Sequence, residues 1–192
     1  MAPTHAARRA APLPPEERRR AIVDAVLPVM VARGPNLTTR EIAEAADVSE
    51  GTLFNVFADK DALIDAVIDA AIDPTPTEAA IAEIDRSLPL DEQLTIATTL
   101  LHQRSATVWR LVSAVPRRHP QPGDRKRMPD NPRLVELFAD NAGQVRVEPQ
   151  EAARLLRSIT FACTHPLLRD EPMTAPDIVE QFLHGCAKGG DR

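Results

Sequence analysis

Apolar residues recur along this chain at steps of three and four, the period of an amphipathic helix. A first helix is expected over about Pro15 to Arg33, with Ile22, Val26, Val29 and Met30 on one face and Gly34-Pro35 to stop it. Pro28 falls inside it, where it removes an N–H and should bend the helix. Two short helices then fit between Thr38 and Lys60. A fourth starts near Asp59 and carries Leu63, Ile64, Val67, Ile68 and Ile72 to Asp73. Asp73-Pro74-Thr75-Pro76 is a break, followed by a short helix over Glu78 to Arg86 with Ala79, Ile81, Ala82 and Ile84. From Leu90 the pattern becomes long and regular: Leu90, Leu94, Ala97, Leu101, Arg104, Val108, Leu111 and Val115 form one stripe. A short helix over Arg133 to Asp140 and two strong ones over about 149–165 and 175–187 complete the pattern. The fold class is all-α.

The two short helices, TTREIAEAADVSEGTLFNVFADK, organise the first third of the chain. Thr38 precedes Glu41 by three residues, the spacing of a reciprocal cap in which hydroxyl and carboxylate each take a free helical N–H. Ile42, Ala43 and Ala46 form an apolar face, and Ala43 is small where two helices must approach closely. Asp47 stands where the chain has to turn through a left-handed conformation. Glycine fills that conformation most easily, and aspartate is among the few other residues that tolerate it. Val48 plugs the corner, Ser49 caps the second helix, and Leu53, Val56 and Phe57 bury its inner side. A rigid corner that presents a second helix outward is what a DNA-binding helix-turn-helix requires.

With those residues in register, LTTREIAEAADVSEGTLFNVFADKDALI resembles the N-terminal signature of the TetR family of bacterial transcriptional regulators, over roughly residues 18 to 70. The resemblance implies a three-helix helix-turn-helix domain and a larger helical C-terminal domain for ligand binding and dimerisation. The corresponding division is a disordered arm over 1–15, a DNA-binding domain with its linking helix over 16–73, and a regulatory domain over 74–192. The family usually has Gly at position 47 and Tyr at position 54, and often His at position 56. This chain has Asp47, Phe54 and Val56, and Phe54 lacks the hydroxyl that would bond a phosphate.

On this reading Ser49, Glu50, Gly51, Thr52, Phe54 and Asn55 face DNA. Asn pairs bidentately with adenine, Thr contacts a base edge, a phosphate or a thymine methyl, and Gly51 permits close approach. Thr39 and Arg40 anchor phosphate at the start of the preceding helix. Lys60 resembles the family lysine that neutralises a backbone phosphate. Arg18, Arg19 and Arg20 open the first helix near the motif and are further phosphate candidates. The bland alternative for each is a cap or a solvated polar side chain, and for Ser49 the cap is expected in any case.

Composition sharpens this picture. Aromatics make up only 3% of the 192 residues, with one Trp and no Tyr, so the core must be aliphatic. The formal charge of −5 argues against a protein that coats nucleic acid indiscriminately. Through Asp73 there are 8 Lys and Arg against 12 Asp and Glu, so the DNA-binding part is not basic in sum. Positive charge is instead segregated at Arg8, Arg9 and Arg18 to Arg20, and location matters more than the total. Arg8 and Arg9 read better as a solvated tail than as a minor-groove arm. Residues 116–132 form a basic, proline-rich loop containing Arg117, Arg118, Arg125, Lys126 and Arg127, and a solvated loop is the better reading there too.

No apolar run has the length to span a bilayer and the first twenty residues lack a signal-peptide core, so a cytoplasmic protein without membrane contact is expected. Cys163 and Cys186 lie on different expected helices and read as reduced, buried residues. There is no nucleophile elbow, phosphate-binding glycine loop or close carboxylate cluster. Cys163/His165 and His184/Cys186 are weak metal hints, because residues two apart on a helix point to different sides. No catalytic residue, metal or cofactor is expected.

Arg104 is out of place on an apolar stripe, where an arginine must snorkel, pair with a carboxylate or bind an anionic group. With His102 and Trp109 close by, it marks a candidate ligand pocket. The expected protein is a DNA-binding regulator, a repressor of a palindromic operator released by an unknown small molecule. It is expected to be a homodimer through the helices at about 149–165 and 175–187, a pairing the resemblance implies. The alternatives are an activator or inducer-free regulator, and a helical ligand-binding or protein-interaction module.

Overall fold

The computed structural model describes residues 14–115 and 131–185. Expectations for Arg8, Arg9 and the rest of the arm to residue 13, for the basic segment 116–130, and for Cys186 lie outside the described residues. Among the described residues the secondary structure is helical throughout: α1 Pro15–Arg33, α2 Thr39–Ala45, α3 Glu50–Val56, α4 Lys60–Ile72, α5 Thr75–Ala82, α6 Leu90–Ala114, α7 Pro132–Asp140, α8 Pro149–Thr164 and α9 Ala175–His184. A single 3-10 turn over Ala142–Gln144 follows α7.

The chain divides into two compact units whose boundary falls inside α4, between Val67 and Ile68. In the first unit, α1, α2 and α3 pack on one another. Ile22, Val26 and Met30 of α1, Ile42 and Ala43 of α2, and Leu53 and Phe57 around α3 are all buried. Val29 and Val56, expected on the inner faces, are only half-buried. Val56 lies three residues past Leu53, some 60° round the helix, which places it on the flank of the buried stripe. Val23 is buried instead of Val29.

The second unit is organised on α6, which packs against α5, α8 and α9, with α7 between α5 and α8. Leu90, Leu94, Ala97 and Leu101 of its stripe join Ile81, Leu134, Leu137, Phe138, Leu156 and Ile178 in one core. The stripe also buries polar residues that periodicity gives no reason to place inside. Gln93 is satisfied there, donating to the Leu88 carbonyl (2.7 Å) and accepting from Asn141 Nδ2 (3.3 Å). The burial of Gln93 is therefore a hydrogen-bonded one, as an amide in a core requires.

Candidate nucleic-acid interface

The corner between α2 and α3 is built by five local devices. Thr38 and Glu41 form the reciprocal cap: the Glu41 N–H donates to Thr38 Oγ1 (3.2 Å), and the Thr38 N–H donates to Glu41 Oε2 (2.8 Å). Arg33, the last residue of α1, pairs with the other carboxylate oxygen of Glu41 and so ties α1 to the start of α2. The Thr38 backbone bond, then the Thr38 hydroxyl, then Arg33 hold the Glu41 carboxyl down at about 2. Asp47 is the one non-glycine with a left-handed backbone among the described residues, at φ 50°. The Val48 N–H donates back to the Ala43 carbonyl (3.0 Å), which closes the turn. Ser49 then caps α3 by accepting the Thr52 N–H (3.1 Å).

These devices leave one arc of α3 outward. At 100° per residue, Glu50, Phe54, Gly51 and Asn55 fall within about 140° of one another, and all four are exposed. Phe54 is 45% exposed, an unusual state for a phenyl ring on a helix whose neighbour Leu53 is buried. Gly51 has ordinary helical backbone, and a Cβ there would meet only Ser49 Oγ, at 3.8 Å. Nothing inside the protein requires glycine at that position. Thr52 is half-buried and its hydroxyl lies 2.9 Å from Ser49 Oγ, so part of its bonding capacity is used in the cap.

The flanking candidates are partly engaged with one another. Thr39 Oγ1 donates to Glu50 Oε2 (2.7 Å), linking the first residue of α2 to the first of α3. Arg40 is exposed and pairs with Glu44 (2.9 Å), which raises its pKa, with Glu50 adding to the effect. Arg19 lies over the Phe57 ring, 4.5 Å from its centroid, in cation–π contact. Arg18 is half-buried, Arg20 exposed, and Lys60 half-buried at the first position of α4. Asp59 caps α4 by accepting the Ala62 N–H (2.7 Å).

Residues 22–67 match the family model for bacterial regulatory proteins of the tetR family. This chain is thus similar to that family over the segment that holds the α2–α3 corner. Its fold is shared with solved structures over nearly their whole length, regulators described as TetR-like or TetR-family among them. LfrR from Mycobacterium smegmatis, solved in complex with proflavine, is 21% identical at a TM-score of 0.59, covering 90% of this chain and 99% of that one. A TetR-family regulator from Mesorhizobium loti is 19% identical at a TM-score of 0.63, covering 90% and 98%. Salmonella enterica GusR is 23% identical at 0.55, covering 91% and 98%. No curated protein matches the chain. The α2–α3 corner lies inside the matched segment and has the form of a helix-turn-helix.

The ligand-pocket candidates are not gathered in one place. Arg104 is half-buried and its guanidinium donates to the carbonyl of Ile72, the last residue of α4. Burial lowers its pKa, against the attraction of Asp73 and Glu78. It thus pairs near carboxylates and covers a helix C-terminus, where a cation is favoured. Its Nε is buried without a partner, as is Glu78 Oε1. The other Glu78 oxygen accepts the Arg133 N–H (3.0 Å) at the start of α7. Trp109 instead packs on His165, and His165 on Phe161, beside a cavity of about 20 Å³ that also meets Ser105, Ala106 and Thr164. His102 is half-buried on α6. No helix among the described residues is long and apolar enough to cross a membrane.

Proposed function

We propose that this protein is a homodimeric repressor that binds a palindromic DNA operator and leaves it when a small molecule binds the C-terminal domain. The observation that carries the DNA-reading part is the outward arc of α3. Four side-chain positions, an exposed phenyl ring among them, face solvent on a corner fixed by two caps and a left-handed residue. In this reading 16–73 is the DNA-binding domain with its linking helix, and 74–192 the regulatory domain of a cytoplasmic protein. Ser49, Glu50, Gly51, Thr52, Phe54 and Asn55 meet the major groove, and Thr39, Arg40, Lys60 and Arg18 to Arg20 meet phosphates.

Two heads must be held about 34 Å apart to enter successive major grooves on one side of the duplex, so a dimer is needed. Exposed Leu155 and Phe161 on α8, with Leu167 and Leu168 just beyond it, support α8 and α9 as the pairing surface. A ligand acts on such a dimer only through unequal affinity for the DNA-bound and released states. The proflavine complex of LfrR is that protein's own, but it is consistent with a protein of this fold accepting a small molecule. His102 and Trp109 on one side of α6, and Arg104 on the other, are separate candidates for that contact here.

The test is fluorescence anisotropy of the purified protein with DNA from upstream of its own gene, at several salt concentrations. Tight binding to a short inverted repeat that outcompetes random DNA supports the regulator. Equal affinity for specific and random DNA, across that region and across genome-wide selected fragments, overturns it.

A further inference from the structure

The recognition helix Glu50–Val56, EGTLFNV, contains no Arg or Lys. The commonest specific contact in protein–DNA complexes, a cation bridging guanine O6 and N7, is therefore unavailable from this helix. What the helix offers at its N-terminal turn, the end that reaches base edges in helix-turn-helix proteins, is a carboxylate. Glu50 is exposed and starts the outward arc, with Phe54 one turn further along the same face.

An ionised carboxylate only accepts hydrogen bonds. Facing phosphates it is repelled, so within a DNA interface it is favourable only opposite a donor on a base edge. Two bases present an amino donor in the major groove. Adenine sets its N6 amino group beside the N7 acceptor, which repels a carboxylate, whereas cytosine presents the N4 amino group without an acceptor of its own there. Thr39 adds the second observation. Its hydroxyl holds Glu50 Oε2 at 2.7 Å, so the carboxylate is anchored across the α2–α3 corner. An otherwise mobile side chain loses less entropy on binding when it is already held.

We propose that Glu50 reads a cytosine in each operator half-site, accepting from its N4 amino group, and that Thr39 positions the carboxylate to do so. This rests on the DNA-binding reading above. It makes Glu50 the determinant of one C·G pair and gives this head a preference set by an acid where a cation is usual.

The experiment is selection of bound sequences from random duplex DNA by the full-length protein and by its Glu50→Gln and Glu50→Ala variants. Glutamine still accepts from Thr39, so the corner is kept, and helical circular dichroism and melting temperature check that it is. The expected result is one C·G position per half-site for the unaltered protein. That position shifts towards A·T in Glu50→Gln, since an amide pairs bidentately with adenine, and loses its preference in Glu50→Ala. The unaltered protein should bind a duplex with that C·G replaced by T·A on the order of 10-fold more weakly. Selected half-sites that are the same in all three proteins overturn the proposal while leaving DNA binding intact. Selection of no sequence by the unaltered protein sinks the DNA-binding reading, and this one with it.

Discussion

The indole of Trp109 lies 4.0 Å, centroid to centroid, from the imidazole of His165, with the ring planes tilted by 55°. The same imidazole is 4.6 Å from the Phe161 ring, and its Nδ1 accepts the Leu167 N–H (3.2 Å). One buried side chain therefore holds α6, α8 and the start of the segment after α8 together. His165→Ala removes both ring contacts and strands the Leu167 N–H, with an expected loss of about 2 kcal/mol. Trp109 is the sole tryptophan, so its emission reads the change directly. Urea unfolding should show the lower stability, and the native emission maximum should move to longer wavelength. Unchanged emission and midpoint would mean that the stack is incidental.

That stack also shows where sequence reading stops. His102 and Trp109 are seven residues apart, and so nearly in line on a helix, but Arg104 lies on the other side. Adjacency along α6 suggested one pocket, and the helical angle separates its members. His165 was visible only as half of a Cys-x-His pair, because its partner sits 56 positions away on another helix and no local pattern encodes that. Caps and corners are different. The Thr38–Glu41 box, the left-handed Asp47, the Ser49 cap and the bounds of α1 follow from residues within a few positions of one another, and all were legible. The burial of Gln93 was not, because it depends on the Asn141 amide reaching it from beyond α7.

Glu41 gives α2 a pH dependence of definite sign. Its folded pKa of about 2 lies below the ordinary 4.5, so the charged form is favoured by folding. The stabilisation is present above pH 4.5 and is lost as pH falls through that value towards 2. Glu41→Gln should lower the melting temperature at pH 7, and the gap from the unaltered protein should close between pH 4.5 and 2. A gap of constant size across that range would assign the loss to the amide's packing and not to the carboxylate.

Asp47 tests the backbone of the corner separately from its charges. At φ 50° glycine carries no Cβ penalty, so Asp47→Gly should be neutral to more stable by about 0.5 kcal/mol, the relief being partly offset by a freer unfolded chain. Asp47→Ala places in the left-handed region a residue that tolerates it less well than aspartate, and should lose about 1 kcal/mol. Chemical denaturation of the three proteins orders them Gly, Asp, Ala. Ala above Asp would show that the left-handed geometry carries no strain.

Arg104 is the charge that covers the end of α4. Arg104→Ala leaves the Ile72 carbonyl without its donor and removes a cation near Asp73 and Glu78, with an expected loss of about 2 kcal/mol. Arg104→Met keeps the apolar stem along the stripe and should lose less. Equal losses in urea midpoints would place the whole contribution in the head group. No loss in either would leave Arg104 free of a structural role and strengthen its candidacy for a ligand.

Lys60 and Asn55 separate the two kinds of DNA contact. A lysine at a phosphate contributes through released counterions, so Lys60→Ala should weaken binding alike for all sequences and reduce the slope of log affinity against log salt by about one. An asparagine on a base edge contributes through pairing with adenine. Asn55→Ala should leave the salt slope unchanged, lose about 1–3 kcal/mol on the operator and relax the preference at a single position. Both follow from where the residues stand, Lys60 half-buried at the start of α4 and Asn55 exposed on the outer arc of α3. Anisotropy titrations of each variant on operator and random DNA, at four salt concentrations, give slope and specificity together. If Asn55→Ala lowers the salt slope while operator preference stays intact, the residue contacts the backbone. The arc of α3 would then be turned further from the base edges than its exposure implies.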